Sequence, residues 1–140
     1  MTALDLPLAL RVQIEKAASA AFPYECCGLI EGVFEDDRAV ITAIHPTRNL
    51  STDADRFEID PAQHIQLLRS LRGTGRAIVG CYHSHPNGKA EPSVHDRMGA
   101  AEEGFIWLVC GTNGSHAQIG AFVFEKDLFR ALKMNETASA

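Results

Sequence analysis

An α/β domain with helices on both sides of one sheet is the fold class that this sequence predicts. Three observations carry it. Segments of helical period alternate along the chain with strand-like runs. Two of the runs, Ala77-Ile-Val-Gly-Cys-Tyr82 and Phe105-Ile-Trp-Leu-Val-Cys110, are apolar at consecutive positions, as strands covered on both faces are. A length of 140 residues, 46% hydrophobic and 22% charged, is that of one globular domain, long enough to fold without disulfide or metal staples.

Taken in order, Pro7 precedes a helical pattern in which Leu10, Ile14, Ala17, Ala18 and Ala21 share a face and Arg11, Glu15 and Lys16 point away. Phe22-Pro23 ends it. Cys27 to Phe34 reads as a strand, the acidic turn Glu35-Asp-Asp37 follows, and Ala39 to Ile44 reads as its hairpin partner. Asn49 to Arg56 is a polar loop and Phe57-Glu-Ile59 a short strand. Asp60-Pro61 supplies an N-cap and a first-turn proline for a helix expected to bury Ile65, Leu68 and Leu71 and to stop at Gly73. The two doubly apolar strands flank a helix expected over about Ser93 to Glu102. Ala117 to Phe124 and an amphipathic piece around Leu128 and Leu132 close a domain spanning 1–134, with 135–140 expected to fray as a disordered tail.

The formal net charge of −5 and pI of about 5.6 argue against nucleic acid or an anionic membrane as the main partner. No run approaches the roughly 20 apolar residues of a membrane helix. The N-terminus, with Asp5 in its apolar run and no basic region, does not read as a signal peptide. Cys26 and Cys27 are adjacent, Cys81 and Cys110 lie in apolar runs, and no CxxC knuckle occurs, so a reduced, cytoplasmic protein is expected.

Chemistry concentrates in His83-Ser-His-Pro-Asn-Gly-Lys-Ala-Glu-Pro-Ser-Val-His-Asp96. Side chains alternate along a strand, so His83 and His85 project from one face at its end, where two imidazoles can reach one metal ion. An oxygen ligand from the next helix would complete a two-His, one-carboxylate site with a position open for water, which is the catalytic arrangement rather than the structural one. Other readings stand beside it. Ser93-x-x-Asp96 is also a capping-box variant, and His-x-His followed by Asp suits some non-haem iron and cupin-like sites. His45, His64, His95 and His116 read as surface or turn residues. Hydrolysis also needs a base, and composition does not choose among Glu25, Glu31, Glu58, Glu91, Glu102 and Glu103.

His-Ser-His-Pro, with Pro86 to Pro92 leading into Ser-x-x-Asp, resembles the signature of the JAB1/MPN/Mov34 (JAMM) metalloproteases, and Pro23-Tyr-Glu-Cys-Cys-Gly-Leu-Ile30 resembles that family's upstream glutamate segment. The likeness covers nearly the whole chain and is closest to small bacterial members. It implies a single MPN-type, cytidine deaminase-like domain with a mixed β-sheet flanked by helices. It further implies that His83, His85 and Asp96 hold one Zn2+ with water as fourth ligand, that Glu25 is the general base, and that the Ser93 hydroxyl steadies the oxyanion. The implied reaction is cleavage after the C-terminal Gly-Gly of a ubiquitin-like sulfur-carrier protein, by a peptidase or isopeptidase. Such a tail would lie as a strand between walls at Asn49 to Phe57 and Asn87 to Pro92. A non-catalytic module that binds a ubiquitin-like partner and a small-amide metallohydrolase are the alternatives. A homodimer is open, and for Cys26-Cys27 a packing role is expected over a redox one.

Overall fold

A computed structural model describes residues 1–138 of the chain. Its strands are β1 (Ala3–Pro7), β2 (Cys27–Glu35), β3 (Arg38–Thr47), β4 (Ala77–His85), β5 (Ile106–Thr112), β6 (Ala117–Glu125), β7 (Leu128–Ala131) and β8 (Lys133–Thr137). Its helices are α1 (Leu8–Ala21), α2 (Pro61–Leu71) and α3 (Val94–Gly99). The strands form one mixed sheet in the order β7-β6-β5-β4-β2-β3-β1-β8. The class is α/β, with helices on both faces. The β2–β3 hairpin is antiparallel, and β4 and β5, joined through α3, run parallel at the centre.

β7 and β8 are consecutive in the chain yet stand at opposite ends of the sheet. Leu132 between them donates its N–H to Ala121 on β6, and Lys133 donates to Thr2 beside β1. The sheet therefore curls until its ends are tied by one segment. Its inner face wraps α1: Ile14 and Ala18 join Leu4, Leu6, Tyr82, Leu108, Val123 and Leu132 in one buried cluster drawn from both ends of the sheet. The outer face carries a second cluster, Leu29, Cys81, Trp107 and Phe124, covered by Phe57, Ile59, Leu67 and Phe105.

Several expectations need correction. β1 and β8 were not anticipated; they pair in parallel, and Asn135 to Thr137, expected to fray, lie opposite Asp5 to Pro7. Asn135 Nδ2 donates to Asp5 Oδ1 across the strands, Glu136 meets Arg11 of α1, and Met134 packs against the inner cluster. Ser139 and Ala140, the end of the expected tail, lie outside the described residues. α2 is capped as expected, Asp60 Oδ1 accepting from Ala62 N–H, but it buries Leu71 and leaves Ile65 and Leu68 half exposed. It touches the sheet mainly at β4 and stands proud of it. Phe57 to Ile59 is no strand; one bridge, Asn49 to Ile59, is all the pairing there. α3 ends at Gly99, short of Glu102.

Candidate active site

β4 ends in His83-Ser84-His85, and its alternation turns both imidazoles to the outer face while Ser84 turns inward. His83 Nε2 and His85 Nε2 are 2.9 Å apart. Each also lies 2.9 Å from Asp96 Oδ2, which comes from the first turn of α3. All three residues are buried. Ser93 caps that helix: its Oγ accepts from the Asp96 N–H at 3.1 Å, and its own N–H donates to Asp96 Oδ2 at 2.8 Å. The capping box is thus present, and the same carboxylate that completes it faces the histidines.

The triangle of donor atoms is under-satisfied as a hydrogen-bonded set, because only one of two facing ring nitrogens can donate. The His85 Nδ1 sits 3.2 Å from the Lys89 carbonyl, which can only accept, so in the neutral ring Nδ1 carries the hydrogen and Nε2 offers its lone pair. A point about 2 Å from all three atoms exists above their plane, the distance at which zinc takes nitrogen and carboxylate oxygen. The residues present therefore fit a zinc ion. The electrostatics agree. Burial opposes the charge on Asp96, but hydrogen bonds from His83 and His85 outweigh it and hold the carboxyl well below the usual range. Burial lowers the pKa of His83. For His85 burial pulls the same way, yet the Asp96 bond and charge win and raise it.

His83 is also gripped by aromatic rings. Phe57 stacks on it at 4.3 Å and Trp107 meets it edge-on at 5.6 Å. Beside the cluster opens a cavity of about 580 Å³, walled by Phe57, Cys81, Asp96, Met98, Phe105 and Trp107.

The segment after His85 lies flat on the sheet because two glycines leave room for it. A Cβ on Gly111 would stand 2.5 Å from the Gly88 carbonyl oxygen and 2.6 Å from the Lys89 carbonyl carbon. A Cβ on Gly120 would strike the Ala90 carbonyl. Bare backbone at these positions seats the loop whose Lys89 oxygen orients His85.

Glu25 arrives from the connection between α1 and β2. Cys26 N–H donates to Ser84 Oγ at 2.8 Å and Ser84 N–H to the Cys26 carbonyl at 3.1 Å, stitching this connection to the histidine strand. The Glu25 carboxyl is 4% exposed, its Oε1 has no hydrogen-bond partner, and a carboxylate oxygen lies within 4.8 Å of donor nitrogens of both His83 and His85. Burial pushes its pKa up to about 7, with the Asp96 charge helping and His85 opposing. Two carboxylates thus address the same imidazoles, Asp96 in direct contact and Glu25 one step further off.

Among the described residues, the other glutamates and histidines stay out of the cluster. Glu31 pairs with His45 at 2.9 Å and Arg76 at 3.1 Å. His95 pairs with Asp55 at 3.6 Å. Cys26 packs against the inner cluster and the buried Cys27 sets its Sγ 3.5 Å from Thr47 Oγ1. All four cysteines are free, and among the described residues no helix is long and apolar enough to cross a membrane. Sequence reasoning missed Ser84, and it named Asn49 and Phe57 as the ends of a channel wall, without their contacts to Glu25 and His83. The alternation of His83-Ser84-His85 could have sent Ser84 to the opposite face; nothing local marks the other two.

Residues 7–124 match the family described as prokaryotic homologs of the JAB domain. A desampylase from Haloferax volcanii is 33% identical over 113 residues, 80% of this chain and 78% of the relative. A probable TtuB-protein conjugate cleaving protease from Thermus thermophilus is 30% identical over 96 residues, 68% of this chain and 61% of the relative. A Desulfitobacterium hafniense protein of known solution structure superposes with a TM-score of 0.87 at 23% identity, covering 97% of this chain and 94% of that one, and shares the fold. With 118 of its residues inside the matched span, His83, His85 and Asp96 among them, this chain belongs to the prokaryotic JAB-domain family.

Proposed function

We propose that the chain is a zinc-dependent peptidase or isopeptidase that cleaves after the C-terminal Gly-Gly of a ubiquitin-like sulfur-carrier protein. The observation that carries this reading is the meeting of His83, His85 and Asp96 donor atoms at 2.9 Å beside the buried, unpartnered carboxylate oxygen of Glu25. The relatives named as a desampylase and a conjugate-cleaving protease favour the same class of substrate. Four free cysteines suit a reducing compartment, and the proposal places the enzyme in the cytoplasm.

In this reading His83 and His85 would hold the metal through Nε2 and Asp96 through Oδ2. When bound, zinc supplies a Lewis acid and brings the pKa of a water near 7. Glu25 takes the proton of the attacking water and returns it to the leaving amine, a role its unpaired oxygen leaves free. Ser93 Oγ already accepts from the Asp96 N–H, so its hydroxyl hydrogen remains to steady the oxyanion. Phe57 and Trp107 hold the His83 ring and keep water from that side. A two-glycine tail suits an approach between 49–57 and 87–92, since glycine lets backbone come close to backbone.

The cavity of about 580 Å³ beside Asp96 favours a second reading, hydrolysis of a small amide. Intact mass spectrometry separates the two. Ubiquitin-like carriers from the same genome, each with a short C-terminal extension, are incubated with the zinc-loaded protein and with Glu25→Gln. A product ending at Gly-Gly from the wild type alone is expected. Cleavage of short amides without a carrier would favour the second reading, and carrier binding with no product would make the domain a binding module.

A further inference from the structure

We propose that Asn49 is a positioning residue, tying the main chain of Glu25 and the ring of Phe57 into one unit across the site. The proposal rests on the reading of Glu25 as the base. Asn49 Nδ2 donates to the Glu25 carbonyl at 3.0 Å and to the Arg56 carbonyl at 3.2 Å. Its Oδ1 accepts from the Ser51 N–H at 2.9 Å and the Glu58 N–H at 2.9 Å. Two carbonyls on one end and two N–H groups on the other fix the orientation of the amide, and both ends are in use.

What those partners flank gives the network its meaning. Arg56 and Glu58 bracket Phe57, the ring that stacks on His83. The loop from 52 to 56 is exposed and has little packing of its own, so its neck at Asn49 and Ile59 sets where Phe57 goes. Glu25, outside the strands, is steadied on the side of Cys26 by Ser84 and at its own carbonyl by Asn49. One side chain therefore places the base from one side of the cluster and the cover of His83 from another.

Asn49→Asp tests this sharply. It keeps an oxygen for the Ser51 and Glu58 amides and removes both donated bonds. Three readouts are taken with Asn49→Ala alongside: zinc bound per chain, kcat and KM on an extended carrier, and the ¹³C carboxyl resonance of Glu25 in zinc-loaded protein, assigned by its loss in Glu25→Gln. Zinc content is expected to match the wild type. Asn49→Asp lowers kcat about 10²-fold, the scale of a displacement near 1 Å, with KM near the wild-type value and the Glu25 resonance shifted. Wild-type kcat and an unmoved resonance in Asn49→Asp would overturn the proposal, since that variant keeps the bonds to Ser51 and Glu58 and loses those to Glu25 and Arg56. If Asn49→Ala does not fold, Asn49→Asp alone decides. Should the wild type cleave no carrier, the peptidase reading falls, while the resonance still decides the role of Asn49.

Discussion

On the inner face of the sheet, α1 presses Ile14 and Ala18 into a cluster without an exposed atom between them; on the outer face, α2 buries Leu71 and leaves Ile65 and Leu68 each 51% exposed. The inner cluster is apolar from β1 to β6 but for the Tyr82 hydroxyl, which is buried without a partner. The outer face instead buries His83, His85 and Asp96 in mutual contact, with the Glu25 carboxyl at hand. Burying polar groups costs stability unless each finds a partner, and Glu25 Oε1 and His83 Nδ1 find none. The inner face offsets that cost. Stability and chemistry are therefore separable here by the face a residue points to, and substitutions on the two faces should fail in different assays.

The largest effect is expected from Glu25→Gln. Turnover on a cleavable carrier should drop by about 10²–10⁴-fold, the usual worth of a positioned base. The denaturant midpoint should hold or rise, because a charge that burial disfavours is removed. Ile14→Ala should do the reverse. It empties space under α1 and is expected to cost about 2–5 kcal/mol in chemical denaturation, with zinc affinity unchanged.

Gly111→Ala sharpens the comparison, since it stands where sheet packing and ligand orientation meet. Its methyl would drive the Gly88 and Lys89 backbone outward, at about 1–3 kcal/mol of overpacking. With the Lys89 carbonyl displaced from His85 Nδ1, zinc affinity should weaken by about 10–100-fold in a competition titration. Loss of stability without loss of affinity would detach the loop seat from the site.

Cys110 gives the inner face a pH signature. Burial pushes its thiol up to about 12, so the folded state holds a proton that the unfolded chain releases earlier. Its contribution is intact below the ordinary thiol range and is lost as pH rises from there toward 12. Denaturant midpoints taken at rising alkaline pH should fall more steeply for the wild type than for Cys110→Ala. The smallest effect belongs to α2, where Leu68→Ala should stay within about 0.5 kcal/mol of the wild type by thermal unfolding.

Legibility followed the range of the interactions. β4 and β5 could be read locally because a strand covered on both faces is apolar throughout, and the ends of α1 because Pro7 and Phe22-Pro23 flank them. β8 could not. Lys-Met-Asn-Glu-Thr has one apolar residue, Met134, too little for a strand pattern, and is a strand because β1, at the far end of the chain, offers an edge. The α2 pattern showed a helix but misjudged its buried face, since burial depends on how closely the helix sits on β4. His83, His85 and Asp96 were visible through strand alternation and a helix start. Glu25 was one of six glutamates until resemblance singled it out. The bonds joining Cys26 to Ser84, 58 residues away, show why spacing along the chain could not. Asn49 and Phe57 act through contacts of the same kind.

The central claim, that outer-face donors form a zinc site independent of inner-face stability, is tested most directly by zinc content after dialysis. Wild type, His85→Ala and Ile14→Ala would be measured side by side by elemental mass spectrometry. One zinc per chain in the wild type and in Ile14→Ala, with none retained by His85→Ala, is the predicted result. A full complement of zinc in His85→Ala, or none in the wild type after zinc loading, would contradict it.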